Sequence, residues 1–165
     1  MGVNQPLATE VNDGDPDLEA AFLARFEVMA WASGLARSYW YQWDNSGHGT
    51  LWNPFSISGC TVPFTSGYIC EPGVANQQVY DWMERSTLTS CSASGTTWIC
   101  GLTESSGTQA EIVWDTSQTC SQGSCSSLAY TAPPIYSSYR DLTGASHPIS
   151  GTVPIGIKPV LLEAQ

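Results

Sequence analysis

Six cysteines fall in three close couples, Cys60/Cys70, Cys91/Cys100 and Cys120/Cys125, and this spacing limits the fold more than any other feature. Pairing sequence neighbours closes each couple across a turn or hairpin, which implies β structure with short connections. The rival use of cysteine is a metal site. No Cys-x-x-Cys occurs, however, and neither His48 nor His147 has ligand-like spacing to a cysteine. Disulfides are therefore favoured, paired Cys60–Cys70, Cys91–Cys100 and Cys120–Cys125, and neither a metal nor a cofactor is expected. Disulfides persist in oxidising compartments, so the protein is expected to be secreted and extracellular. The start, Met1-Gly2-Val3-Asn4-Gln5-Pro6, has no basic n-region and no apolar h-region, so a mature form or a fragment of something longer is expected.

Charge narrows the partners. Only 12% of residues are charged, 5 basic against 15 acidic, for a net charge of −10. Nothing in such a chain could neutralise phosphates, so no nucleic acid and no anionic membrane surface is expected as a partner. The longest apolar-rich stretch, Leu18 to Ala32, contains Glu19, Arg25 and Glu27 and is too short to span a bilayer. With 42% apolar and 11% aromatic residues, the chain can bury a core.

The chain changes character near residue 86. Gln5 to Glu10 reads as a short buried strand ending in a carboxylate. Asp15 is a good N-cap, with Pro16 at the first helical position, and the helix should run to about Ser33 with Gly34 as its stop. Arg37 to Asp44, with Tyr39-Trp40-Tyr41-Gln42-Trp43, reads as an aromatic strand. Strand, helix, strand with short connections is a βαβ unit, which requires parallel pairing. A long loop follows, Asn45 to Pro72, of a length that marks a functional loop or an insertion. A second helix is predicted over Gly73 to Arg85. Beyond it, Ser86–Cys91, Thr97–Leu102, Glu111–Asp115, Ser127–Thr131, Ile135–Asp141 and Val153–Leu162 read as strands of a small antiparallel sandwich. The expected fold class is thus α+β: a partial βαβα unit over 1–85, then a β-sandwich over 86–165. Residues 86–163 are expected to survive on their own. Trp82, Trp98 and Trp114 are expected in the core, Glu104 and Glu111 on a solvated sandwich face, and the two histidines at the surface.

Glu10 is the candidate catalytic residue, because it sits where a parallel strand ends and a loop to a helix begins. The neighbouring strand ends in Tyr41, Trp43, Asp44 and Asn45, an aromatic platform followed by hydrogen-bonding groups. With Trp52 on the long loop, these are the candidate substrate-binding residues. Pyranose C–H faces stack on Trp and Tyr while Asp and Asn hold the hydroxyls, so the candidate ligand is a polysaccharide or oligosaccharide.

The run Ala8-Thr9-Glu10, the Asp/Pro-capped helix, Tyr39-Trp40-Tyr41-Gln42-Trp43-Asp44, Gly49-Thr50-Leu51-Trp52 and the helix ending Val79-Tyr80-Asp81-Trp82 resemble the last two βα units of a clan A glycoside hydrolase, a retaining (β/α)8 enzyme. The remainder is similar to the C-terminal β-sandwich that follows the barrel in several branches of the clan. Its matching pieces are Trp98-Ile99-Cys100, Glu111-Ile112-Val113-Trp114-Asp115, Tyr139-Arg140-Asp141-Leu142 and Pro159-Val160-Leu161-Leu162-Glu163. The resemblance implies that Glu10 is the nucleophile at the end of the seventh strand and Trp43 the subsite floor at the end of the eighth. It also implies an acid/base in an Asn-Glu pair on the fourth strand, and no Asn-Glu occurs here. Strands one to six are missing as well, so the chain alone should not hydrolyse glycosides, and its partner would be the missing barrel portion or a second copy of itself. The alternatives are a non-catalytic carbohydrate-binding module and a structural or assembly protein. An exposed row of aromatics on the sandwich would mark the binding module.

Overall fold

Helix α1 (Pro16–Ala32) begins at the expected cap. Asp15 Oδ1 accepts the backbone N–H of Asp17 at 2.9 Å and of Leu18 at 3.4 Å, filling donors that would otherwise be orphaned. It stops at Gly34, whose φ of +79° suits glycine. There the Gly34 N–H donates to the Trp31 carbonyl and the Leu35 N–H to the Ala30 carbonyl, the paired bonds that close a helix on a left-handed residue. The computed structural model describes residues 14–40, 43, 50–121 and 123–164. The strand expected over 5–10 lies outside these. Of the one expected over 37–44, residues 37–40 carry no regular structure and Tyr41, Gln42 and Asp44 are not among the described residues.

The stretch read as one loop contains three short strands: β1 (Trp52–Asn53), β2 (Cys60–Phe64) and β3 (Gly67–Cys70). They pair antiparallel in the order β1-β3-β2. Helix α2 (Glu71–Glu84) follows β3 without a break, starting two residues earlier than the pattern suggested. Arg85 alone separates it from β4 (Ser86–Ser94), after which come β5 (Thr97–Glu104), β6 (Gln109–Asp115), β7 (Cys120–Ser121), β8 (Ser124–Cys125), β9 (Leu128–Thr131), β10 (Tyr136–Arg140), β11 (Ser146–Pro148), β12 (Thr152–Ile155) and β13 (Val160–Ala164). Six of these build one sheet in the order β11-β10-β13-β6-β5-β4, while β9 pairs with β12 and β7 with β8. Every strand pairing among the described residues is antiparallel.

The three disulfides form as the local pairing expects, and each joins register partners on adjacent strands: Cys60–Cys70 in β2/β3, Cys91–Cys100 in β4/β5 and Cys120–Cys125 in β7/β8. The C-terminal tail differs from expectation. Instead of one strand over 153–162 it is two, in different sheets, broken at Gly156-Ile157-Lys158-Pro159. A Cβ on Gly156 would sit 2.7 Å from the Ser126 carbonyl oxygen, so only glycine lets the backbone pass there. The Gly156 carbonyl accepts the Asp115 N–H at 2.8 Å, and Pro159 has no N–H to offer a ladder.

The layers follow from the sidedness of β5 and β6. On one face Cys100, Leu102, Ala110, Ile112 and Trp114 meet Ala20, Ala24 and Val28 of α1 and Ala75, Val79 and Trp82 of α2 in one buried cluster. On the other face Val113, Val160 and Leu162 meet Val153 and Ile155 of the β9/β12 ribbon, together with Tyr136. Among the described residues, two helices therefore lie on a six-stranded sheet with a two-stranded ribbon behind it. Trp98 stands directly opposite Trp114 in the β5/β6 register, and their rings stack with centroids 5.6 Å apart. A further tie joins helices to sheet: Lys158, in the tail break, pairs with Asp17 in the first turn of α1 and lies 4.0 Å from Glu71 at the start of α2.

Glu111 is not on a solvated face. It shares the ribbon face with Val113, receives the Tyr136 hydroxyl, and leaves Oε2 buried with no hydrogen-bond partner. Burial pushes its carboxyl up, and it pushes Glu71 up too, with the Asp17 charge adding to the effect. Asp115 behaves in the opposite way. It is 0% exposed, where burial would raise its pKa, but donors from Ser117, Thr97 and Thr96 at 2.5–2.9 Å outweigh that and hold it below the usual range.

These directions predict how stability depends on pH. A carboxyl raised on folding contributes stability that is present below its ordinary value of 4.5 and lost as pH rises through the folded value. One that is lowered contributes stability present above 3.8 and lost as pH falls. The thermal midpoint should therefore peak on the acidic side, near 3.8 to 4.5, with Glu111→Gln flattening the neutral limb and Asp115→Asn the acid limb. A midpoint that rises steadily from pH 4 to 7 would contradict this. The shared cluster yields a second expectation: Ile112→Ala should cost about 2–5 kcal/mol by denaturant unfolding. It also works against the independent survival of 86–163, since a chain starting at Ser86 would bare Leu102, Ile112 and Trp114. Such a chain should bind a hydrophobic dye and unfold without a cooperative transition.

Candidate functional site

Two of the sequence-predicted ligand contacts, Trp43 and Trp52, come together on the β1-β3-β2 sheet. The Trp43 carbonyl accepts the N–H groups of Trp52 at 2.9 Å and Leu51 at 3.2 Å, which fixes Trp43 beside β1. The Trp52 indole Nε1 donates to the Phe64 carbonyl at 3.4 Å, spanning the sheet from β1 to β2. Its ring lies against Gly67, where a Cβ would stand 2.4 Å from the indole, so glycine is required beneath it. The Trp43 ring meets Phe64 edge-on, with centroids 6.3 Å apart. Trp43 remains 53% exposed and Phe64 48%, so aromatic surface is open to solvent.

The platform is held from below. The Cys60–Cys70 bridge ties β2 to β3, and the Cys70 N–H donates to the Leu51 carbonyl at 2.9 Å. Buried Asn53 accepts the Phe55 N–H at 2.9 Å, setting the turn out of β1. A cleft of about 210 Å³ opens between this hairpin and the start of α1, with Glu19, Thr50 and Asn53 in its lining. The open faces of Trp43 and Phe64 can stack on the C–H face of a sugar, whereas the cleft with Glu19, Thr50 and Asn53 is lined by neither ring.

Phe64 is the platform member that sequence reasoning missed. The signal was the alternation of Val62 and Phe64 inside the Cys60/Cys70 couple, both of which project outward from β2. Glu10, Tyr41, Asp44 and Asn45 lie outside the described residues. The pair of titratable groups at the β10–β11 turn is architectural. His147 Nε2 and Asp141 Oδ2 are 2.9 Å apart, and the imidazole stacks on Tyr139 at 4.8 Å. Asp141 Oδ1 is filled by Thr143 and the Ala145 N–H, which makes it the pin of the β10–β11 turn. His147 lies at the surface as expected, its side chain 41% exposed, and is there paired with Asp141 and stacked on Tyr139. Among the described residues, no three His, Cys, Asp or Glu side chains are grouped to hold a metal ion, and no helix is long and apolar enough to cross a membrane.

No protein-family model matches the chain, and neither does any curated protein. Among solved structures it is similar to a family 39 glycoside hydrolase from the gut symbiont Bacteroides cellulosilyticus WH2, with a TM-score of 0.64 and 15% identity. The likeness covers 91% of this chain but 31% of that one, so the chain spans about a third of the length of the protein it matches. At that identity the likeness is one of fold. The chain has a glycoside hydrolase-like fold.

Proposed function

We propose that this chain is the C-terminal portion of a secreted, retaining glycoside hydrolase acting on a β-linked polysaccharide, with residues 1–85 the end of a (β/α)8 barrel and 86–165 its accessory sandwich. The observation that carries this reading is the direction of the helices. Lys158 reaches the first turn of α1 and the first residue of α2, so both N-termini lie together. One cleft collects Pro16 and Pro72 from the starts, and another collects Trp31 and Met83 from the ends. Consecutive helices that run in parallel require a return segment between them, which is the geometry of repeated βα units rather than of a helical hairpin. The likeness in fold to a family 39 glycoside hydrolase supports the same reading.

In this proposal Glu10 is the nucleophile, Trp43 floors a sugar subsite, and Tyr41, Asp44, Asn45 and Trp52 complete the contacts to substrate. Retention needs a second carboxyl about 5–5.5 Å from the first to protonate the leaving oxygen. That group would come from the missing barrel portion, and general acid assistance of this kind contributes about 10²–10⁴-fold. A non-catalytic carbohydrate-binding role is the second reading. It is favoured by the platform itself, which needs no Glu10 to stack on a sugar.

Aryl β-glycosides should not turn over with the chain alone. Activity should return when a fragment carrying strands one to six is added, vanish with Glu10→Gln, and weaken in KM with Trp43→Ala. Hydrolysis by the isolated chain that survives Glu10→Gln would overturn the assignment. Binding of oligosaccharide lost in Trp43→Ala, with no activity under any complementation, would favour the binding role.

A further inference from the structure

The C-terminal halves of α1 and α2 bound a cleft of about 560 Å³ together with residues 35–40 and Leu51. That volume falls within the range of about 300–1,000 Å³ typical of small-ligand pockets. Its lining is unlike that of a packing defect. Trp31, Tyr39 and Tyr80 turn aromatic surface toward it, and Tyr80 stands 55% exposed on α2.

Glu27 is the decisive residue. It is only 9% exposed, yet it is a carboxylate on the wall of this cleft. Ser38 Oγ donates to one of its oxygens, while the other is not sealed from solvent and has no partner among the described residues. An open carboxylate oxygen on a cleft wall can accept from a ligand hydroxyl. Asn76 and Arg37 line the same space, and neither side chain has a partner among the described residues.

We propose that this cleft binds a pyranose unit of a neutral saccharide. The Glu27 and Arg37 charges cancel, so a net charge on the ligand gains nothing, and an organic cation drawn to Glu27 would meet Arg37. What the lining offers is acceptors and donors side by side with open aromatic faces, the complement of vicinal hydroxyls on a ring with C–H faces. Glu27 accepts from one hydroxyl, Asn76 and Arg37 bind its neighbours, and Tyr80 stacks on the ring. Trp43 is not part of this lining, so the site is separate from the hairpin platform, and it stands whether or not Glu10 is a nucleophile.

The test follows the tryptophan indole N–H signals of the whole chain by heteronuclear NMR, with Trp31 assigned from Trp31→Phe. The chain is titrated with cellotetraose, xylotetraose and mannotetraose, then with choline and with glucuronate. At least one neutral tetraose should shift the Trp31 signal saturably. Tyr80→Ala, a surface change whose fold is checked by circular dichroism, should weaken that shift about tenfold or more. Asn76→Ala should weaken it as well, and Trp43→Ala should leave it unchanged. A shift with choline or glucuronate and none with the saccharides would overturn the proposal, as would no shift with any probe. Saccharide binding that is lost in Trp43→Ala and indifferent to Tyr80→Ala would place the sugar on the hairpin and equally overturn it.

Discussion

The seam between the helix pair and the sheet is the contact on which the rest of the molecule depends. It is built from small residues: Ala20 and Ala24 on α1 and Ala75 on α2 let the helix backbones come close to β5 and β6. Val28, Val79 and Trp82 then fill the space over Leu102, Ile112 and Trp114. Among the described residues, each layer covers this surface of the other. An open sheet face of that character would be an apolar patch in water, and two helices without the sheet would be no better covered. The Cys91–Cys100 bridge braces the outer edge of the same sheet, with Cys100 itself in the cluster.

Two surfaces with a candidate role among the described residues are placed by this seam. Because α2 begins directly after β3, anchoring α2 also anchors the hairpin that carries Trp52 and Phe64. Because α1 and α2 run in parallel from the Lys158 tie, their far halves bound a cleft with Glu27 on its wall. On the reverse face, the ribbon of β9 and β12 covers Glu111 and sets its carboxyl against Tyr136, and the price of that burial is a stability that favours acid. The expected dependence of stability on pH thus rests on specific carboxyls and not on net charge alone.

Much of this was legible in the residues. The cap Asp15-Pro16 and the stop Gly34 bounded α1 to within a residue, since both depend on local chemistry. The cysteine couples paired as neighbours because each pair faces itself across a hairpin. What failed was everything decided at a distance. β1 has only two residues and β2 contains Pro63, so neither shows a strand period, and the stretch read as a loop. The tail alternated correctly, yet Gly156 and Pro159 split it between two sheets. Glu111 looked solvated because alternation along β6 cannot reveal that a ribbon lies over the second face. Of the candidate site, Trp43 was legible as an aromatic at an expected strand end and Trp52 as one on the long loop. The Glu27 cleft was not, because its walls come from two helices and the chain between them.

The central claim is that helices and sheet form one cooperative body. Native-state hydrogen exchange measures it most directly, by following the amides of Val28, Val79, Ile112 and Leu161 under increasing denaturant. The account predicts that all four open with the same free energy, equal to that of global unfolding. If the α1 and α2 amides opened well below those of β6 and β13, the helices would be a loosely attached layer and the account would be wrong.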